Sequence, residues 1–174
     1  MNKWLQRIIV LWMGCWSGLT AVRAGGNNQS EGMIVFYTDQ ACFKMINQKE
    51  LSYVQLYFFM ERNQFMFVKQ DTLYAAKLSV HVHFEDTNDK GNIVDKQWPV
   101  NLDDHITAED TAKDVPVIFE NGFVVKPGKY ALRVEITDEN NTARTGKYTE
   151  ELEIPSFDQS SLNISDLAMA TQVL

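Results

Sequence analysis

The sequence predicts an all-β protein: an antiparallel, immunoglobulin-like β-sandwich of about seven to nine strands, preceded by a signal peptide. Apolar residues recur at every second position in several runs, which is the period of a β-strand, and turn-forming residues separate these runs. Of the 174 residues, 45% are hydrophobic and 22% are charged, which is typical of one domain with a buried core. We place this domain at residues 33–155.

Residues 1–24 have the layout of a secretory signal peptide. Lys3 and Arg7 precede an apolar run over residues 8–16, and Ala24 provides a small residue at the expected cleavage point. The run is shorter than the roughly 20 residues that cross a bilayer. We therefore expect removal of the leader, no transmembrane segment in the mature chain, and export to the periplasm, the cell envelope or the extracellular space. Residues 25–32 are a polar linker.

Charge and cysteine content exclude several classes of protein. The leader contains three of the 16 basic residues and none of the 23 acidic ones, so the mature chain has 13 against 23 and a net charge of −10. Nucleic-acid binding needs fields of Lys and Arg and is not expected. Cys15 leaves with the leader, so Cys42 has no intramolecular disulfide partner. No His lies beside Cys42 in the sequence, and we interpret it as a small, semi-buried strand residue.

Strand periodicity is clearest in residues 74–85 and 129–137. In both runs the even positions are apolar and the odd positions are mostly polar, so one face of each strand should pack on a core and the other should meet water. Six further strands are predicted at residues 36–45, 52–60, 64–68, 93–101, 115–120 and 146–154. The inward residues of the two clearest strands are Tyr74, Ala76, Leu78, Val80, Val82, Phe84, Tyr130, Leu132, Val134 and Ile136.

Turn-forming residues lie where these strands should reverse. Residues 86–92 contain Asn88, Asp89 and Gly91, residues 127–128 are Pro-Gly, and residues 138–141 are acidic and amide side chains. Residues 102–114 are polar and acidic, and are long enough to cross from one sheet to the other. Residues 156–174 begin as a polar linker and then resume apolar alternation at residue 162. They either add an edge strand or start a further domain that is truncated here.

Several segments resemble the N-terminal β-sandwich region of bacterial GWxTD-domain proteins, which are exported proteins found largely in Bacteroidetes. The resemblance spans most of the mature chain and implies an exported β-sandwich. The four tryptophans, Trp4, Trp12, Trp16 and Trp98, all lie outside a Gly-Trp-x-Thr-Asp context, so the segment that names the family is absent. The resemblance transfers no catalytic residue. It is carried by residues 36–39 (FYTD), 51–59, 63–69 (NQFMFVK), 127–130 (PGKY) and 162–167.

His81 and His83 are the candidate metal ligands, because alternate strand positions place both imidazoles on one face. A metal needs more ligands, and only His105 or Glu85 could supply a third. Polar residues on a solvated strand face are the ordinary result of the two-residue period, and we favour that interpretation, with no metal or other cofactor. The sequence also lacks a Gly-x-Ser-x-Gly nucleophile motif and a Gly-rich phosphate loop, so we expect no enzymatic activity.

The segment over residues 52–60 is apolar on both faces. Val54, Leu56, Phe58 and Met60 alternate with Tyr53, Tyr57 and Phe59, so one set can pack in the core while the other needs a different cover. The cover is either a loop of the same domain, a downstream domain or another envelope protein. Tyr53, Tyr57 and Phe59 are therefore the candidate interaction residues.

These observations predict a non-catalytic, exported interaction or structural module of a bacterial envelope protein. One alternative is a carbohydrate-binding sandwich that uses exposed aromatics such as Tyr53 and Tyr57 as a sugar platform. Another is the N-terminal part of a larger protein whose activity lies in a missing C-terminal domain.

Overall fold

The computed structural model describes residues 29–48, 50–102 and 106–157. The predicted signal peptide, most of the polar linker, His105 and the predicted element after residue 157 lie outside this range. Within it, two antiparallel sheets pack face to face as an all-β sandwich. Two short 3-10 turns, at Arg62–Gln64 and Asp110–Ala112, accompany the strands. The strands are β1 Glu31–Gly32, β2 Phe36–Lys44, β3 Ser52–Glu61, β4 Val68–Gln70, β5 Leu73–Asp86, β6 Ile93–Leu102, β7 Pro116–Val125, β8 Gly128–Asp138 and β9 Thr145–Ile154.

The smaller sheet contains three strands in the order β2-β3-β7. β3 pairs antiparallel along its whole length with both neighbours, and Tyr57 lies between Asp39 on β2 and Glu120 on β7. β3 is therefore the central strand of this sheet. Its backbone is hydrogen-bonded on both sides and its side chains contact residues of both neighbouring strands.

The larger sheet has the order β1-β9-β8-β5. Along its other edge, β5 pairs with β4 at residues 73–75 and with β6 at residues 76–85. β6 belongs to this sheet and β7 to the smaller one, so the chain crosses between the sheets where the sequence predicted a crossing, within residues 102–114. Among the described residues no helix is long and apolar enough to span a membrane.

The core lies between the two sheets and confirms the predicted inward faces. On β5 and β8 the inward residues from Ala76 to Phe84 and from Tyr130 to Ile136 are at most 2% exposed, while Tyr74 is only half-buried. Aromatic rings from both sheets meet there, as with Phe84 on β5 and Phe123 on β7, whose centroids are 5.2 Å apart. The Tyr130 hydroxyl accepts a hydrogen bond from the Asn92 amide (2.8 Å) and donates one to the Lys126 carbonyl (3.0 Å), so this buried polar group is paired.

The strand predicted at residues 64–68 is wrong. Gln64 closes a 3-10 turn, and its side-chain amide accepts from the Val35 backbone N–H (2.6 Å) and donates to the Val35 carbonyl (2.9 Å). Phe65 then turns into the core, and the Met66 backbone N–H donates to the buried Asp138 carboxylate (2.6 Å). These partners hold the connection between the two sheets in a non-strand conformation, and the strand begins only at Val68.

Candidate interaction surface

The outward side chains of β2, β3 and β7 form a surface that we call the aromatic face. The strand register arranges them in rows that cross the three strands, because directly opposed residues point to the same side of a sheet. From one end of the face to the other, the rows are Glu61–Pro116, Tyr37–Phe59–Ile118, Asp39–Tyr57–Glu120, Ala41–Gln55–Gly122 and Phe43–Tyr53–Val124.

One apolar row consists of Tyr37, Phe59 and Ile118. These side chains are 46%, 41% and 68% exposed, and the rings of Tyr37 and Phe59 lie 6.3 Å apart at a tilt of 54°. Three large apolar side chains are thus adjacent and open to solvent on consecutive strands. Such a row is typical of a surface that binds another molecule rather than of scattered surface hydrophobics.

A second apolar row, at the other end of the face, contains Phe43, Tyr53 and Val124. The rings of Phe43 and Tyr53 are 6.4 Å apart, and Val124 is 44% exposed. The Tyr53 hydroxyl donates to the Gln55 side-chain oxygen at 2.5 Å. Tyr53 lies across Gly122, where a Cβ atom would collide with its ring. The absence of a side chain at Gly122 therefore makes room for the ring of Tyr53.

The row between these ends places Tyr57 between two carboxylates. Partial burial raises the pKa of the Tyr57 hydroxyl, and the nearby Glu120, Tyr53 and Asp39 raise it further. Negative charge disfavours ionisation of a phenol. The two carboxylates act on Tyr57 because the strand register places Asp39 and Glu120 on either side of it.

The outer face of the larger sheet differs in chemistry. Its charged side chains form ion pairs of opposite sign, with nitrogen–oxygen distances of 3.0 Å for Arg133 and Glu85 and 3.2 Å for Lys147 and Glu135. Exposed pairs of this kind add little stability, but they make the surface polar and locally neutral. Among the described residues, exposed apolar rows therefore lie on the outer face of the smaller sheet and not on that of the larger one.

His81 and His83 lie on this polar face and share one acidic partner. His81 Nε2 is 3.0 Å from one oxygen of Asp95 on β6, and His83 Nδ1 is 2.7 Å from the other. Hydrogen bonds from His83 and, secondarily, from His81 hold the pKa of the Asp95 carboxyl below its ordinary value. Glu85, one of the predicted third ligands, is 4.0 Å from His83 and pairs with Arg133.

The side chains around His81 and His83 are not arranged as metal ligands. Over residues 29–48, 50–102 and 106–157, no three His, Cys, Asp or Glu side chains are grouped so that they could hold a metal ion. Asp95, the partner of both histidines, was not predicted from the sequence. The hairpin turn at residues 86–92 sets the register that places Asp95 opposite His83. The sequence contained this turn, but the pairing could be predicted only with the exact strand register.

Tyr53, Tyr57 and Phe59 all lie on the aromatic face. Tyr53 and Tyr57 are half-buried, and Phe59 is exposed, while the alternate set from Val54 to Met60 is fully buried. Tyr37 and Ile118, which complete the row of Phe59, were not predicted from the sequence. Each lies on a neighbouring strand, so the pairing of three strands was needed to find them.

No protein-family model and no curated protein matches the chain. One solved structure, "X-ray structure of Northeast Structural Genomics Consortium target SoR45", is similar at 14% sequence identity and a TM-score of 0.43, covering 81% of this chain and 98% of that one. A likeness at this level carries no conclusion about function.

Proposed function

We propose that the protein is a non-catalytic, exported β-sandwich that acts as an interaction or structural module of a bacterial envelope protein and docks its partner on the aromatic face. The observation that carries the proposal is the exposed row of Tyr37, Phe59 and Ile118. Contiguous apolar patches are uncommon on monomers and mark binding surfaces. The ion-paired outer face of the larger sheet provides the contrast within the same molecule.

The leader-like residues 1–24 support export, and the GWxTD-type segments support a place in the bacterial envelope. In that family the sandwich precedes the segment that names it, which is consistent with a module joined to, or docked on, a downstream domain. The acidic mature chain fits a role that involves neither nucleic acid nor an anionic membrane surface.

A carbohydrate-binding sandwich is the second candidate. It is favoured by the aromatic rings of Tyr53 and Tyr57 and by the carboxylates of Asp39 and Glu120 on either side of Tyr57, which together could combine stacking with hydrogen bonding to a sugar. Ile118 argues for a protein partner instead, because the most exposed large apolar side chain of the face has no ring on which a sugar can stack.

Site-specific photo-crosslinking in the source bacterium tests the proposal. A photoreactive phenylalanine analogue at Ile118 should give a discrete crosslinked protein, and the same analogue at Thr149 on the polar face should not. Thr149 is a matched control because it is also exposed and lies on a strand. Equal products at both positions, or none at Ile118, would refute docking on the aromatic face.

The variant Tyr57→Ser/Phe59→Ser should keep the fold and lose the crosslink from Ile118. Phe58→Ser is the contrasting change, since Phe58 is fully buried in the core and its loss should unfold the domain. If the double variant also unfolds, Tyr57 and Phe59 act as core residues and the proposal is wrong. Glycan-array binding that this variant abolishes would favour the carbohydrate candidate.

A further inference from the structure

We infer that the aromatic face binds a cationic segment of a partner polypeptide, in which Lys or Arg side chains alternate with apolar ones. This inference rests on the proposed function and defines the chemistry of the partner. It is carried by the distribution of charge on the face and by the spacing of its rows.

The aromatic face has acidic residues and no basic ones. Its outward positions on β2, β3 and β7 include Asp39, Glu61 and Glu120, and none of these positions holds a Lys or an Arg. In the part of the chain that the structure describes, none of the three carboxylates lies within ion-pair distance of a basic side chain. The larger sheet pairs Glu85 with Arg133 and Glu135 with Lys147, so its outer face mixes acids and bases, whereas the outward positions of the aromatic face hold acids alone.

The carboxylates lie between apolar side chains. Asp39 and Glu120 flank Tyr57, one row away from the exposed Phe59 row, and rows on one face of a strand are about 7 Å apart. Lys and Arg match this arrangement, because their stems are apolar and can cover a ring while the charged end reaches a carboxylate. The ring of Tyr57 can also accept a cation–π contact.

Charge disfavours two other occupants of the face. A second copy of the chain that docked through its own aromatic face would bring the same three acids against Asp39, Glu61 and Glu120. The chain's own residues 158–174 include Asp158 and Asp166 and no Lys or Arg. Like charges placed opposite each other at an interface are repulsive. With a basic partner, the same carboxylates attract the partner and select it over acidic ones.

Three fluorescent peptides of equal length test the inference. They share the same alternating Leu and Phe residues and carry Lys, Gln or Glu at the positions between them. Anisotropy titrations should show that the Lys peptide binds wild type, that the Gln peptide binds more weakly, and that the Glu peptide does not bind. Added salt should weaken the Lys peptide most, because it screens exposed charges.

Acid-to-amide variants locate the effect on the face. Asp39→Asn/Glu120→Gln should weaken binding of the Lys peptide by about tenfold, the scale expected for two partly exposed charge pairs. Glu31→Gln/Glu153→Gln removes the same charge from exposed positions outside the face and should bind as wild type does. Circular dichroism should show that both variants are folded.

Each contrary result overturns the inference without deciding the proposed function. It is wrong if the Gln peptide binds as tightly as the Lys peptide, if the two variant pairs behave alike, or if no peptide binds. A crosslink from Ile118 would still support docking on the aromatic face in those cases. A crosslink from Ile118 to a second copy of the chain or to residues 158–174 also overturns the cationic partner. The absence of every crosslink from Ile118 refutes the proposed function itself.

Discussion

Gly122 has a packing role on the edge strand β7. The ring of Tyr53 occupies the space where a Cβ of residue 122 would lie, and in that position Tyr53 contacts Phe43 and donates to Gln55. A glycine in a strand normally weakens it. Here an aromatic side chain on the neighbouring strand covers the exposed backbone, a known way of compensating for an edge glycine.

Replacing Gly122 with Ala should displace Tyr53 from the aromatic face. The free energy of unfolding should fall by about 1 kcal/mol, the scale of a mild steric overpacking, and the NMR signals of the Tyr53 ring should shift. Gly91→Ala is the matched control, since the nearest atom to an added Cβ there is at an ordinary contact distance of 3.4 Å. Equal stability of the two variants would contradict the role assigned to Gly122.

At the scale of elements, the hairpin of β5 and β6 depends on one carboxylate in its turn. Asp86 accepts hydrogen bonds from the backbone N–H groups of Asn88 (2.8 Å) and Asp89 (3.1 Å) and from the Asn92 side chain (3.2 Å). The bond from the Asn88 N–H is the main reason that the pKa of the Asp86 carboxyl is lowered, followed by the bonds from Asn92 and Asp89. The ionised carboxylate therefore stabilises the turn.

The pH dependence of stability tests this role of Asp86. Because its pKa is lower in the folded state, the unfolded chain binds more protons in mild acid, and stability must fall as the pH falls towards the folded pKa. Asp86→Asn removes this titration, so its free energy of unfolding should vary less with pH below pH ~5, where unfolded aspartates begin to protonate. Urea denaturation across the acidic range provides the measurement. Identical pH profiles for wild type and variant would contradict it.

Elements with a clear period were predictable, and elements fixed by distant contacts were not. The alternation in β5 and β8 identified their buried faces, because burial on one side imposes it directly. The strand prediction for residues 64–68 was wrong because the conformation of this segment depends on Val35 and Asp138, which are far away in the sequence. On the aromatic face, the sequence of β3 was enough to predict Tyr53, Tyr57 and Phe59. The residues that lie beside them, including Asp39 and Glu120, could be found only from the register of three strands.

At the scale of the whole molecule, the two sheets share one core and should unfold together. Trp98, the one tryptophan among the described residues, extends from β6 in the larger sheet to Phe58 and Phe123 in the smaller one, with ring centroids 6.3 Å and 6.2 Å away. Lys96 also lies over the rings of Trp98 and Phe123. The environment of Trp98 therefore depends on contact between the sheets.

Tryptophan fluorescence and far-ultraviolet circular dichroism should report the same urea midpoint for the chain without residues 1–24. One probe follows packing between the sheets and the other follows strand content, and coincident transitions are the mark of two-state unfolding. Trp98→Phe should lose most of the fluorescence change and keep the circular dichroism transition. A fluorescence midpoint clearly below the other would show that the sheets separate before their strands melt.

The first strand, β1, and the exit of the chain after β9 lie at opposite ends of β9. β1 lies beside the first residues of β9, at Gly146 and Lys147, while the chain leaves past the last residues of β9, where the Pro155 carbonyl accepts a hydrogen bond from Ser52. Gly146, which pairs with β1, and Ile154, which precedes Pro155, are thus separated by most of the length of β9, about 26 Å of extended strand. A pull between β1 and Pro155 would therefore load β9 along its length rather than across its hydrogen bonds.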